Sequence, residues 1–230
     1  MPRLTFACVS AQGTTEQTVE IRDLVLAGWT GRDAAKVQEH IDELAEHGVA
    51  PPSRTPMFYR TSADLIGQSE TLQALGPDTS GEVEYVLFKA GGAMWVTVGS
   101  DQTDRKREGQ IGVALSKQLA GKVIARTAWA LDEVLPHWDR IEISADVVSA
   151  AKRETYQQAT LGDIKSPADL IRGVAGGGET LPDGTLLMSG TPPAIGGIRG
   201  ADRFEMRLHD PVLGRTIAHT YDIEVLDIIA

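Results

Sequence analysis

Glu82 and Glu84 stand two residues apart in Gly81-Glu82-Val83-Glu84, at the head of the apolar run Tyr85-Val86-Leu87-Phe88. Strand side chains at i and i+2 point to one face, so this spacing predicts two carboxylates side by side. Such a pair repels unless something positive lies between them, and hard divalent ions take carboxylate oxygens as ligands. A second apolar run, Met94-Trp95-Val96-Thr97-Val98, leads into Gly99-Ser100-Asp101-Gln102-Thr103-Asp104-Arg105. The intervening Lys89-Ala90-Gly91-Gly92-Ala93 reads as a hairpin turn, which would bring Asp101 toward the glutamates as a third carboxylate. Taken singly, the glutamate pair also suits a solvated strand edge, and Gly-Ser-Asp suits a plain turn.

Other residue types with chemical potential are spread along the chain. His40 and Glu43 have the i, i+3 spacing that shares a helix face, the arrangement of a base and its orienting partner or of a surface pair. Lys117 lies in Ser116-Lys117-Gln118 between apolar neighbours, where a lysine can hold an anionic substrate. Leu187-Met188-Ser189-Gly190-Thr191-Pro192 offers hydroxyls and backbone amides at a strand end, which suit a carboxylate or an oxyanion. Arg54 and Tyr59 follow the helix and serve equally for substrate contact or packing. His137 beside Trp138 reads as a packed histidine, and His209 and His219 receive no role. Cys8, the single cysteine, sits in an apolar run and reads as a small core residue.

The elements that must position these groups are mostly strands. Residues 3 to 9 and 18 to 28 read as strands with a turn at 11 to 14. A helix is expected from near Asp33, with Thr30 and Asp33 at capping-box spacing and Gly48 as its stop. Residues 50 to 56, rich in proline, are expected to be extended or irregular. Strands follow at 83 to 88, 94 to 98, 140 to 145, 185 to 189, 203 to 208 and 216 to 228. Residues 105 to 118 are expected to be partly helical, and 167 to 174 a short helix behind Pro167. The pattern is a β-rich α+β domain. A net charge of −10 over 230 residues argues against nucleic acid or an anionic membrane as the partner. No stretch is apolar enough for a membrane span or reads as a signal peptide, so the cytoplasm is the expected location.

The order of these motifs resembles the fumarylacetoacetate hydrolase family, through a bacterial branch, from about residue 27 to the end. The family's H-x-x-E, E-x-E, D-x-T-x-R, lysine and T-G-T-P elements correspond in order to His40–Glu43, Glu82–Glu84, Asp101–Arg105, Lys117 and Ser189–Pro192. Departures are Ser80-Gly81 where a histidine usually precedes the first glutamate, Glu108 near a usual glutamine, Ser189 for threonine, and shorter spacers.

The resemblance implies a mixed β-sandwich roll of the family's C-terminal-domain type, usually a homodimer. Residues 1–50 would supply N-terminal strands and a lid helix, and 51–230 a metal-binding catalytic β-roll, together one compact unit. It implies Glu82, Glu84 and Asp101 as ligands of Mg²⁺ or Mn²⁺, with Ca²⁺ as another occupant. His40 and Glu43 would be a water-activating dyad and Lys117 a catalytic contact to substrate oxygens. Arg105, Tyr59, Ser189, Gly190 and Thr191 would line the substrate, a small anionic 2-oxo or β-diketo acid. The implied activity is hydrolysis of a C–C bond, as in an acylpyruvase or fumarylpyruvase. Two alternatives are a decarboxylase, hydratase or isomerase using the same site, and a non-catalytic binding protein that keeps the fold.

Overall fold

The computed structural model describes residues 1–46 and 51–229. The chain opens with β1 (Arg3–Ser10), β2 (Gly13–Glu20) and β3 (Asp23–Gly28), then α1 (Ala34–Glu46) and β4 (Met57–Thr61). Short strands β5 (Ile66–Gly67), β6 (Thr71–Leu75) and β7 (Thr79–Ser80) lead into a long hairpin, β8 (Val83–Ala90) and β9 (Ala93–Asp101). After it come β10 (Thr103–Asp104), α2 (Arg105–Ile111), α3 (Val113–Gln118), β11 (Lys122–Ile124), β12 (Thr127–Ala130) and α4 (Leu131–Val134). The rest is β13 (Glu142–Ser149), β14 (Lys152–Thr160), α5 (Pro167–Val174), β15 (Thr185–Met188), β16 (Arg203–Asp210) and β17 (Arg215–Leu226).

Ten strands form one mixed sheet along the path β2-β1-β12-β9-β8-β15-β3-β4, with β11 on β9 and β5 on β11. Five form a second sheet, β14-β13-β16-β17-β6, and β7 pairs with β10. The long hairpin at the centre of the large sheet is covered on both faces, which is why its sequence runs apolar without clean alternation. On one face Val83, Tyr85, Leu87, Val96 and Val98 pack against Ile143, Phe204 and Leu208 of the second sheet. On the other, Val86 and Phe88 meet Phe6, Cys8, Leu24, Leu26 and Met188 of their own sheet.

That second contact set requires a curled sheet. Phe6 on β1 and Phe88 on β8 lie three strand steps apart along the path, about 14 Å in a flat sheet. Their rings stack with centroids 4.1 Å apart. The large sheet therefore rolls around its own concave face, and the small sheet closes the convex one. This is the β-rich α+β roll that the sequence resemblance implied.

Several local expectations are corrected. The strand expected over 18 to 28 is two strands, because β2 pairs antiparallel with β1 while β3 pairs parallel with β15. Between them the Ile21 amide donates to Pro2 O and the Arg22 amide to Gly184 O. The start of α1 is capped by Asp33, whose Oδ1 accepts from the amides of Ala35 and Lys36. Thr30 is buried instead, its carbonyl taken by the Lys165 amide. Gly48, the expected stop, lies outside the described residues. Strands β4, β6, β11, β12 and β14 had no sequence expectation. The helix over 167 to 174 is α5, started by Ser166, whose side chain accepts from the Asp169 amide, with Pro167 in its first turn.

Candidate metal centre

The hairpin register builds the centre. Gly91 and Gly92 take left-handed φ values of 58° and 81°, allowing the tight turn that pairs Val83 with Ser100 and Glu84 with Gly99. One step further, the Asp101 amide donates to Glu82 O at 3.0 Å. On the other side of β9, β11 pairs Lys122 with Asp101 and Ile124 with Gly99. Glu82, Asp101 and Lys122 thus form one row across three adjacent segments of the concave face. Glu84, Gly99 and Ile124 form the next row. A Cβ on Gly99 would lie 2.6 Å from Ile124 Cγ2 and 2.9 Å from Val86 Cγ2, so only glycine fits beside Glu84.

One carboxylate oxygen from each of Glu82, Glu84 and Asp101 lies within 4.8 Å of the others. Glu84 and Asp101 are buried and Glu82 is half-buried. Three cationic side chains attend two of these carboxylates. Glu82 Oε1 is 2.8 Å from Arg105 Nη2, and its Oε2 accepts from Lys117 Nζ at 2.8 Å. Lys117 Nζ also donates to Asp101 Oδ2. Lys122 Nζ lies 2.9 Å from Asp101 Oδ1. Its three N–H groups, however, have the carbonyls of Gln102, Lys117 and Ala120 at 2.6, 2.7 and 2.8 Å. Asp101 Oδ1 is accordingly buried without an aligned hydrogen bond. Glu84 differs from both: among the described residues its carboxylate accepts one hydrogen bond, from the Gly190 amide at 2.9 Å.

These placements set the charge states apart. Burial, and then the nearby Asp101 carboxylate, push the Glu84 carboxyl well above the usual range. At Glu82 burial acts in the same direction, but the charges of Arg105 and Lys117 overcome that cost and hold it well below the usual range. Lys117 is likewise held above the ordinary lysine value, because Asp101, Glu82 and Glu84 outweigh its burial. For Lys122 burial prevails and lowers it, Asp101 notwithstanding.

The donor set fits a hard divalent cation. It is all oxygen and carries one oxygen, Asp101 Oδ1, that no protein donor satisfies. The three donor oxygens lie within 4.8 Å of one another, close enough for Glu82, Glu84 and Asp101 to converge on one such ion.

The other residues singled out in the sequence fall in distinct places. Arg105 is engaged with protein groups, donating from Nε to Ser80 Oγ at 2.7 Å and pairing with Glu108 Oε2 at 3.0 Å as well as with Glu82. Ser189, Gly190 and Thr191 form the turn beside Glu84. Thr191 Oγ1 donates to Val83 O at 2.9 Å and accepts from Gln157 Nε2 at 2.6 Å. Tyr59 pairs with Leu26 across β3 and β4 and so faces the concave side; its hydroxyl accepts from Trp29 Nε1 at 3.3 Å. His40 and Glu43 lie on α1, but their side chains are outside the described residues. His137 Nε2 sits 3.0 Å from Asp210, away from the cluster.

Two residues at the site had no sequence signal. Lys122 opens a three-residue strand too short to show alternation. Gln157 on β14 ties the loop to the hairpin: its Oε1 accepts from the Val83 amide at 2.9 Å while Nε2 donates to Thr191 Oγ1 and Pro192 O.

Solved structures with this architecture include a 2-keto-3-deoxy-D-arabinonate dehydratase complexed with magnesium and 2,5-dioxopentanoate. It is 14% identical, with 96% of this chain and 79% of that one covered at a TM-score of 0.63. A candidate fumarylpyruvate hydrolase from Burkholderia cenocepacia is 18% identical over 100% and 97% of the two chains, with a TM-score of 0.58. A candidate fumarylacetoacetate isomerase/hydrolase from Oleispira antarctica is 14% identical over 96% and 99%, with a TM-score of 0.61. At such identities the likeness establishes the fold, which is that of the fumarylacetoacetate hydrolase-like proteins. No curated protein matches the sequence. The family model described as "Protein of unknown function (DUF2848)" matches residues 27–221. The chain belongs to that family.

Proposed function

We propose that this DUF2848 member is a divalent-metal-dependent enzyme acting on a small 2-oxo or β-diketo acid, with Glu82, Glu84 and Asp101 as the metal ligands. The observation that carries this reading is the carboxylate trio, gathered within 4.8 Å on the concave face. Buried Glu84 and Asp101 beside half-buried Glu82 are costly unless cations compensate them. When bound, the divalent ion would supply Lewis-acid polarisation of a substrate carbonyl and neutralise charge developing on its oxygen.

The chain's own groups would do the rest. Arg105 fixes Glu82, and Lys122 faces Asp101 from the neighbouring strand. The Ser189-Gly190-Thr191 turn walls the side of the site next to Glu84, and Tyr59 stands on the same face two strands beyond β15. The favoured reaction is hydrolytic C–C cleavage, in which His40, oriented by Glu43, takes the proton of the attacking water. Lys117 would meet the anionic end of the substrate. A homodimer in the cytoplasm is part of the same proposal.

A second reading keeps the metal site and removes water attack, giving a decarboxylase, hydratase or isomerase. It is supported by the dehydratase of like fold that was found with magnesium and 2,5-dioxopentanoate. Incubation of the Mn²⁺-loaded protein with a panel of acylpyruvates and 2-oxo acids separates these readings. Carboxylic acid plus pyruvate as products supports the hydrolase; loss of CO₂ or water supports the second reading. A His40→Ala variant should lose about 10²–10⁴ in hydrolysis rate. Retained metal binding with no turnover of any member of the panel would favour a binding protein.

A further inference from the structure

The Lys117 ammonium stands inside the carboxylate cluster. It donates to Glu82 Oε2 at 2.8 Å and to Asp101 Oδ2, and Thr103 Oγ1 lies 3.4 Å away. The side chain is buried. Two of the three carboxylates that would ligate a cation therefore already share one, and it is covalently part of the protein. An ammonium and a divalent ion compete for Glu82 Oε2 and Asp101 Oδ2, since like charges at ligand distance repel strongly in a dry site, while Asp101 Oδ1 stays open to the ion.

The element that carries Lys117 is suited to yield. Helix α3 has six residues, follows Gly112 with φ 86°, and buries only Ser116 and Lys117. Leu115 on it and Leu119 just after it are 58% and 53% exposed. It is held by the Lys117 side chain, by the Lys122 ammonium on Lys117 O and by the Ser62 amide on Gln118 Oε1, with little apolar packing beneath. Lys122 and Arg105, by contrast, are tied to backbone carbonyls and to Ser80 and Glu108, and have no comparable freedom.

We infer that Lys117 is a placeholder cation: it neutralises Glu82 and Asp101 in the metal-free protein, competes with the incoming divalent ion, and on release presents its ammonium to the substrate's carboxylate. This rests on the metal-site reading above and adds an order of events to it, with ion binding before anion binding. The same side chain then opposes the ion and favours the anion. A residue that merely supports the fold would affect both in one direction.

The test compares wild type with Lys117→Met and Lys117→Gln, using Lys106→Met as a surface-charge control. Mn²⁺ is titrated calorimetrically into metal-stripped full-length protein, and oxalate is then titrated into the Mn²⁺-saturated forms. Thermal melts without metal confirm that each variant is folded. The expected result is Mn²⁺ affinity raised about tenfold or more in both Lys117 variants, the size of an ordinary coupling between sites. Oxalate affinity should fall by a similar factor, with the control unchanged. Should the methionine variant not fold, the glutamine variant, which retains a donor toward Asp101, decides between the outcomes. Wild-type binding of Mn²⁺ with equal or weaker binding by the variants would overturn the placeholder and leave the metal site standing. Failure of every form to bind Mn²⁺ would overturn both.

Discussion

The Gly190 amide donates to Glu84 Oε2 at 2.9 Å across two adjacent strands, fastening the loop after β15 to the centre of the carboxylate cluster. Gly190 has φ 84°, and a Cβ there would collide with Thr30 Oγ1 and lie 2.9 Å from Ala27 O. Gly190→Ala is expected to lower unfolding stability by about 1–3 kcal/mol, the usual cost of such backbone strain. It should also weaken Mn²⁺ binding, because the amide that orients Glu84 is displaced. Denaturant unfolding and metal titration on the same variant check both effects.

Lys122 is fully buried beneath the cluster, with three backbone carbonyls and one carboxylate around its ammonium. Lys122→Met keeps the bulk and removes the charge and all three donors. The carbonyls of Gln102, Lys117 and Ala120 lose their partner and Asp101 loses a neighbouring cation. The expected loss is about 3–5 kcal/mol, as for breaking other buried pairs. Equilibrium unfolding in urea measures it. A loss below about 1 kcal/mol would mean that these groups find other partners.

His137 and Asp210 join the segment after α4 to the end of β16. Burial works to raise the Asp210 carboxyl, but the His137 hydrogen bond and the amides of Leu213 and Val212 hold it below the ordinary value. A depressed folded-state pKa contributes stability that is present above the unfolded value, about 3.9, and is lost as pH falls through the folded one. His137→Ala should therefore cost roughly 1–3 kcal/mol near neutrality, with the difference from wild type shrinking as pH falls below about 4. Paired unfolding curves from pH 7 to pH 3 would show this; a difference that grows on acidification would contradict it.

Cys8 is buried on the concave face among Phe6, Phe88 and Leu24, and burial pushes its thiol up to about 11. Since the thiolate is the reactive form, the native protein should resist a thiol reagent at pH 7, with labelling set by the unfolding rate. Rapid stoichiometric labelling without denaturant would contradict the burial.

Much of this architecture was legible where one residue type enforces one geometry. Pro167 behind Ser166 gave α5, and Gly91-Gly92 between two apolar runs gave the β8–β9 hairpin. With that hairpin came the meeting of Glu82, Glu84 and Asp101. What escaped depends on partners distant in sequence. The break after Glu20 follows from β3 choosing β15, more than 150 residues later in the chain. Strand β2 is largely exposed and polar, Gly-Thr-Thr-Glu-Gln-Thr at its start, so it carries no apolar signal. Lys122 looks like any lysine until β11 is set against β9. Gln157 closes the loop over Val83 through a sheet contact that spacing does not encode.

The most direct test of the metal centre uses Glu84→Gln. The amide retains an oxygen for the Gly190 hydrogen bond and almost the same shape, and Glu84 has no lysine or arginine bonded to it among the described residues. The variant should therefore stay folded while losing one anionic ligand. Calorimetric titration of metal-stripped wild type and Glu84→Gln with Mn²⁺ is the measurement, accompanied by a thermal melt of each. One equivalent bound by the wild type, and binding lost or weakened by at least about tenfold in a variant that melts no lower, is the predicted result. Equal binding by the two, or none by the wild type even with oxalate present, would contradict a metal centre built on Glu82, Glu84 and Asp101.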